Sequence, residues 1–190
     1  MTSSACTALA VMCLVAPPVA GQTVAPAPLR HGEVSFAMAA TTVNDFVGHA
    51  PLARVEFSGT ELASVTGVVE VRVAEMRTGI GLRDTHLRKA MRADSFPTIR
   101  FELTGVAPGD PHGDTTSVAF SGNLTIHGVT KAVRVPGTVV LHASGAEVTA
   151  SFPVDMREYG IAPPSRFFGV VRVRPVTQIT AHLEFGNQED

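Results

Sequence analysis

The chain has no tryptophan, one tyrosine and only two cysteines among its 190 residues. Both cysteines, Cys6 and Cys13, fall in one N-terminal apolar stretch. If that stretch is cleaved, no thiol remains, which excludes disulfides, thiol catalysis and cysteine-ligated metal. Charge is also sparse: Asp, Glu, Lys and Arg make up 17% of the residues and the formal net charge is −2. No basic run occurs, so the electrostatic footprint of nucleic-acid binding is missing. The run Ala5–Ala16 is shorter than the about 20 apolar residues a spanning helix needs, and no later segment is long and apolar enough. Catalytic signatures are missing as well. No serine sits in a Gly-x-Ser-x-Gly elbow, and no glycine-rich loop leads into Lys-Ser/Thr. The seven histidines, at positions 31, 49, 86, 112, 127, 142 and 182, show neither His-x-His nor His-Glu-x-x-His spacing, so no metal site is expected.

What is present begins with an uncharged N-terminus; Arg30 is the first charged side chain. Ala5–Ala16 is broken by Pro17-Pro18, and Val19-Ala20-Gly21 supplies small residues suited to signal peptidase. Residues 1–21 therefore read as a secretory signal peptide, although only the α-amino group makes its start positive. Met12 precedes Cys13 where a lipoprotein signal wants a small residue. Residues 22–31 read as a flexible lead-in, since Gln22–Pro28 is rich in Pro and Ala. The expected location is the periplasm or the exterior.

From residue 33 onward, alternation dominates. Val34, Phe36 and Met38 share one face, as do Val69, Val71 and Val73, and Ile99, Phe101 and Leu103. Val118, Phe120, Leu124 and Ile126 form another row, followed by Val133, Val135, Val139 and Leu141. Val148, Ala150, Phe152 and Val154, then Ile179, Ala181, Leu183 and Phe185, complete the set. Each row faces a polar one, the mark of half-buried strands. Turn residues at Pro108-Gly109-Asp110, Pro111–Asp114, His127-Gly128 and Ser144-Gly145 separate the rows, as in antiparallel all-β folds. Arg83–Ala93 breaks the pattern and reads as a short crossing helix. Asp84 or Thr85 is its expected cap, and Leu87 and Met91 share a face. Inward positions are mostly Val, Ala and Ile with single Phe residues between them. That favours a barrel of about eight strands enclosing a ligand over a filled sandwich.

Two blocks carry a resemblance. One is Asp84, His86-Leu87-Arg88, Phe96-Pro97-Thr98-Ile99 and Phe101; the other is Gly122 and Leu124–Lys131. With Val34-Ser35-Phe36, with Phe46-Val47-Gly48 as the following turn, and with Met156–Ile161, they resemble the YceI family over residues 32–186. The resemblance implies an eight-stranded antiparallel lipocalin-like barrel and no enzymatic activity. It implies a long isoprenoid ligand, either a polyprenyl phosphate or an isoprenoid quinone. The chain departs from the family at Met91–Ser95, which lacks the usual paired aromatics, and at the Pro-rich stretch Ala162–Phe168.

The expected apolar lining is Phe36, Met38, Val71, Phe101, Phe120, Leu124 and Phe152. His86, Arg88 and His127 are the candidates for a ligand head group, against a purely local role in turn and helix. No cofactor is expected, and the protein is expected to be a monomer or homodimer. The rival reading is a filled-core accessory or stress-response protein acting through its surface on a membrane redox partner. A small hydrolase or isomerase using His86 or His127 would need a carboxylate within hydrogen-bond reach of one of them.

Overall fold

A computed structural model describes residues 27–40, 45–163, 165–166 and 171–186. The expected signal peptide lies outside them. Ten strands and one helix follow in the order β1 (Leu29–Ala40), β2 (Phe46–His49), β3 (Leu52–Ser58), β4 (Thr66–Arg72), α1 (Gly81–Ala90), β5 (Thr98–His112), β6 (Thr115–Ile126), β7 (Val129–His142), β8 (Gly145–Asp155), β9 (Ser165–Arg166) and β10 (Val171–Gly186). All ladders are antiparallel, and the path runs β2-β1-β10-β8-β7-β6-β5-β4-β3. β1 begins at Leu29, so the last three residues of the expected lead-in are strand.

The two ends of that path are consecutive in sequence, and this closes the barrel. β2 pairs with β1 and β3 pairs with β4. Between them the Ala50 N–H donates to Val34 O at 2.8 Å, and Pro51 O accepts from the Arg72 N–H at 3.4 Å. One stave, bent at Pro51, thus passes from one neighbour to the other. Counting β2 and β3 as that one stave, and setting aside the two-residue β9, eight staves surround the core. Phe46-Val47-Gly48 is therefore strand, not the expected turn. Beyond the bend no ladder joins β1 to β3 among the described residues, and the Leu52 side chain covers Gly32 there.

The inward rows are those the alternation marks. They form two buried clusters, one around Phe36, Val71, Leu124 and Met156, the other around Leu103, Phe120, Val135 and Val139. Pro108-Gly109-Asp110 is not a turn; it lies within β5, with a register shift between Pro108 and Pro111. The β4–β5 ladder ends at Leu103. Past it no described strand pairs with that edge of β5, where proline's missing N–H costs no ladder bond. At the other end of the barrel, His127 (φ 52°) and Gly128 (φ 78°) join β6 to β7. Both are left-handed, as a two-residue primed turn requires.

α1 starts two residues earlier than expected, at Gly81, and covers the end of the barrel where β5 begins. Met91 and Leu87 pack on the first cluster. Because the helix starts early, Asp84 is its fourth residue rather than its cap, and its carboxylate turns inward, 6% exposed. There it accepts from the Thr78 N–H at 2.7 Å and the Thr78 hydroxyl at 2.6 Å. These two bonds tie the approach loop to the helix and hold the Asp84 carboxyl below the usual carboxylate range. Thr85 does not cap either; its hydroxyl donates back to Gly81 O.

Candidate ligand cavity

The inside of the barrel is not filled. A cavity of about 420 Å³ occupies the half remote from α1, within the size range of small-molecule sites. A second, of about 90 Å³, lies beneath α1. Val34, Val71, Ile99, Leu124, Phe152 and Ile179 line both. These six come from β1, β4, β5, β6, β8 and β10, so a single layer of side chains forms a waist between the two spaces.

The void has two local causes. Gly137, Ala150 and Ala181 lie in register across β7, β8 and β10, so three adjacent wall positions project almost nothing. The aromatic rings, in turn, lie along the wall instead of across the lumen. A side chain on Gly137 would meet the Phe120 ring at 2.7 Å, and one on Gly122 would meet the Phe101 ring at 2.7 Å. Phe36 covers Gly48 and Phe57 covers Gly67 in the same way. A ring lying over a strand glycine protects its backbone and leaves the centre empty.

The lining is almost wholly aliphatic and aromatic. Glu56, at the rim of the larger space, is the one charged residue among the described ones that borders it. Its carboxyl is held low by a hydrogen bond from Arg54 at 2.7 Å. At that end Phe57 and Phe185 meet edge to face, 5.5 Å between centroids, and Leu62 and Val65 close part of the opening. In the smaller space Thr177 is buried, but its hydroxyl donates to Ala37 O at 2.8 Å and makes no demand on a ligand. Such a space offers a guest dispersion and desolvation, with no fixed polar anchor.

Phe36 and Met38 line the smaller cavity, Phe101 and Phe120 the larger, and Val71, Leu124 and Phe152 belong to the waist. His86, Arg88 and His127 line neither. His86 and Arg88 lie on α1, where Arg88 donates to the Thr85 hydroxyl at 3.3 Å. His127 stacks on Phe96, 4.5 Å between centroids. Its Nδ1 lies 3.2 Å from Tyr159 O and therefore carries the proton. Its Nε2 is buried without a hydrogen-bond partner among the described residues. Tyr159 lines the smaller cavity, and burial raises its phenol pKa. His127 thus packs into the closed end of the barrel beside the cavities. Two other histidines do meet carboxylates: His49 on Glu33 at 2.7 Å and His182 on Glu184 at 3.1 Å. Both pairs are outside the cavity linings. No cluster of three metal-ligating side chains occurs among the described residues. Alternation could not reveal the glycine–ring pairs, because each partner lies on another strand.

A sequence profile of the YceI-like domain matches residues 25–185. The chain belongs to the YceI-like family. Solved structures agree with its barrel. BcnA of Burkholderia cenocepacia superposes with a TM-score of 0.67 at 19% identity, over 80% of this chain and 95% of that one. A polyisoprenoid binding domain from Saccharophagus degradans, implicated in plant cell wall breakdown, gives 0.63 at 13% identity, over 84% and 97%. The Campylobacter jejuni YceI protein gives 0.62 at 14% identity, over 78% and 89%. At these identities the likeness concerns the fold. A comparison with curated proteins gives no match. This YceI-like protein keeps Gly122 and Leu124–Lys131 at the β6–β7 hairpin, and Asp84 on α1 as the tie to Thr78. Of the Pro-rich stretch Ala162–Phe168, Pro164 and Phe167-Phe168 lie outside the described residues.

Proposed function

We propose that this YceI-like protein is an exported, non-enzymatic carrier that holds the tail of an isoprenoid lipid or quinone inside its barrel. The observation that carries this reading is the cavity of about 420 Å³ with an apolar wall and, among the described residues, one charged side chain at its rim. Burying a hydrocarbon tail there is favourable by about 0.8 kcal/mol per methylene. No lysine or arginine among the described residues lines the space, so a phosphate or quinone head group stays outside the apolar lining. The polyisoprenoid-binding domain from Saccharophagus degradans, with the same fold, supports the ligand class. Export rests on the signal-peptide features of residues 1–21, and places the carrier in an aqueous compartment where a free isoprenoid is insoluble.

The test is a calorimetric titration of delipidated protein with quinones of increasing isoprenoid length. Affinity is expected to rise with each added unit until the cavity is full and then level off. Affinity that ignores tail length, or no heat with any of them, would refute the reading.

A further inference from the structure

Basic residues are distributed unevenly. Arg54, Arg72, Arg100, Lys131 and Arg157 each form an ion pair with a carboxylate. Eight others form none among the described residues; five of them, Arg77, Arg83, Arg88, Lys89 and Arg92, cluster on α1 or its flanks, while Arg30, Arg134 and Arg174 lie singly on β1, β7 and β10. Two are held in place by rings: Arg83 lies 4.0 Å over Phe46, and Arg92 5.2 Å over Phe96. Asp84 is bonded to Thr78 and forms no ion pair with them, although Arg77 and Arg88 are near enough to help hold its carboxyl low, so it offsets only part of their charge.

Exposed apolar side chains gather at the same end. Ile80 and Leu82, at the start of α1, are 51% and 65% exposed. Val47, 53% exposed, lies on β2, which is tied to this region by the His49–Arg77 bridge. The end that carries Phe57, Leu62 and Phe185 presents no exposed large apolar residue among the described ones.

We propose that the α1 end of the barrel docks peripherally on an anionic phospholipid surface. Ile80 and Leu82 enter the interface, and these five cations lie against lipid phosphates. Charge complementarity favours this occupant, as basic residues around an exposed apolar tip are what anionic bilayers attract. A protein partner fits less well, because this face offers no Trp or Tyr to anchor a packed protein interface. This chain has no Trp, and its one Tyr is buried. No helix among the described residues is long and apolar enough to cross a membrane. Docked in this way, the smaller cavity lies next to the lipid and the Phe57–Phe185 end faces water.

The test is co-sedimentation of the full chain with vesicles of phosphatidylcholine alone and of an equimolar phosphatidylglycerol mixture, at low and high salt. Vesicles without isoprenoid make the result independent of the cavity's ligand. Expected is binding to the anionic vesicles that high salt suppresses. Leu82→Gln is expected to weaken it about tenfold, and the pair Arg83→Gln/Lys89→Gln about twenty-five-fold, roughly fivefold per charge. Circular dichroism of the variants checks that the barrel is intact, and their quinone titrations are expected to match the parent. Equal sedimentation with both vesicle types would overturn the proposal, as would variants that bind like the parent. Binding only to native membranes, lost after protease treatment, would assign the surface to an acidic protein and overturn it as well.

Discussion

Replacing Ala150 with leucine separates an empty binding cavity from a tightly packed core. Ala150 faces the larger cavity from β8, between Gly137 on β7 and Ala181 on β10. The substitution adds three carbons. Taking each as about the size of a water's share of liquid, about 30 Å³, they consume roughly a fifth of the space. Burying them is worth about 2.4 kcal/mol at about 0.8 kcal/mol each. Fixing the longer side chain costs about 0.5–1 kcal/mol. The ligand-free protein should therefore gain about 1.5 kcal/mol, or about 3–6 °C in Tm for a domain of this size. In a packed core the same change would be overpacking, costing about 1–3 kcal/mol, so the sign of the shift decides. Binding should move the other way. Three displaced tail methylenes cost about 2.4 kcal/mol, a roughly fiftyfold loss of affinity. Thermal melts followed by circular dichroism read the first effect. Calorimetry reads the second, since a chain without tryptophan gives little fluorescence signal. A lowered Tm would refute the empty cavity, and a raised Tm with unchanged affinity would place the ligand elsewhere.

Further outcomes follow from the same geometry. Gly137→Ala should destabilise by about 1–3 kcal/mol, because its new carbon meets the Phe120 ring and the Thr149 carbonyl; urea unfolding measures this, and a neutral result would contradict the covered-glycine account. Phe152→Ala should merge the two cavities and allow longer tails to bind with full gain per unit, read as a shift in the chain length at which affinity levels off. Asp84 sets a pH dependence. Its folded carboxyl titrates below the usual range because Thr78 bonds its charged form. The stability it confers is therefore present above the ordinary carboxylate pKa of about 4 and is lost as pH falls through the depressed folded value. Melting the parent and Asp84→Asn between neutral and acid pH should show a gap that closes on the acid side; a constant gap would remove Asp84 from the account.

Much of the barrel was legible in the sequence. Period-2 rows such as Val118-Phe120-Leu124-Ile126 report burial directly, and the staves follow them. Three features were not legible, each for a reason of register or context. Pro108 and Pro111 read as turn residues, yet the neighbouring strand stops short of them and no described strand pairs with that edge. Asp84 reads as a cap, but two extra residues of helix from Gly81 place it inside. Phe46-Val47-Gly48 read as a turn because only the fold shows that β2 and β3 are halves of one bent stave. The site was half legible. The expected lining residues face the lumen, but the void depends on Gly137, Ala150 and Ala181, which are brought level only by cross-strand pairing. His86, Arg88 and His127 were candidates by residue type, and the structure sets them beside the cavities without lining either.

The most direct test of a lipid-holding barrel is native mass spectrometry of the protein purified from its own source, with solvent extraction and identification of whatever is released. Expected is one isoprenoid adduct per chain that Ala150→Leu diminishes. A clean apo mass, unchanged after incubation with isoprenoid quinones and polyprenyl phosphates, would contradict it.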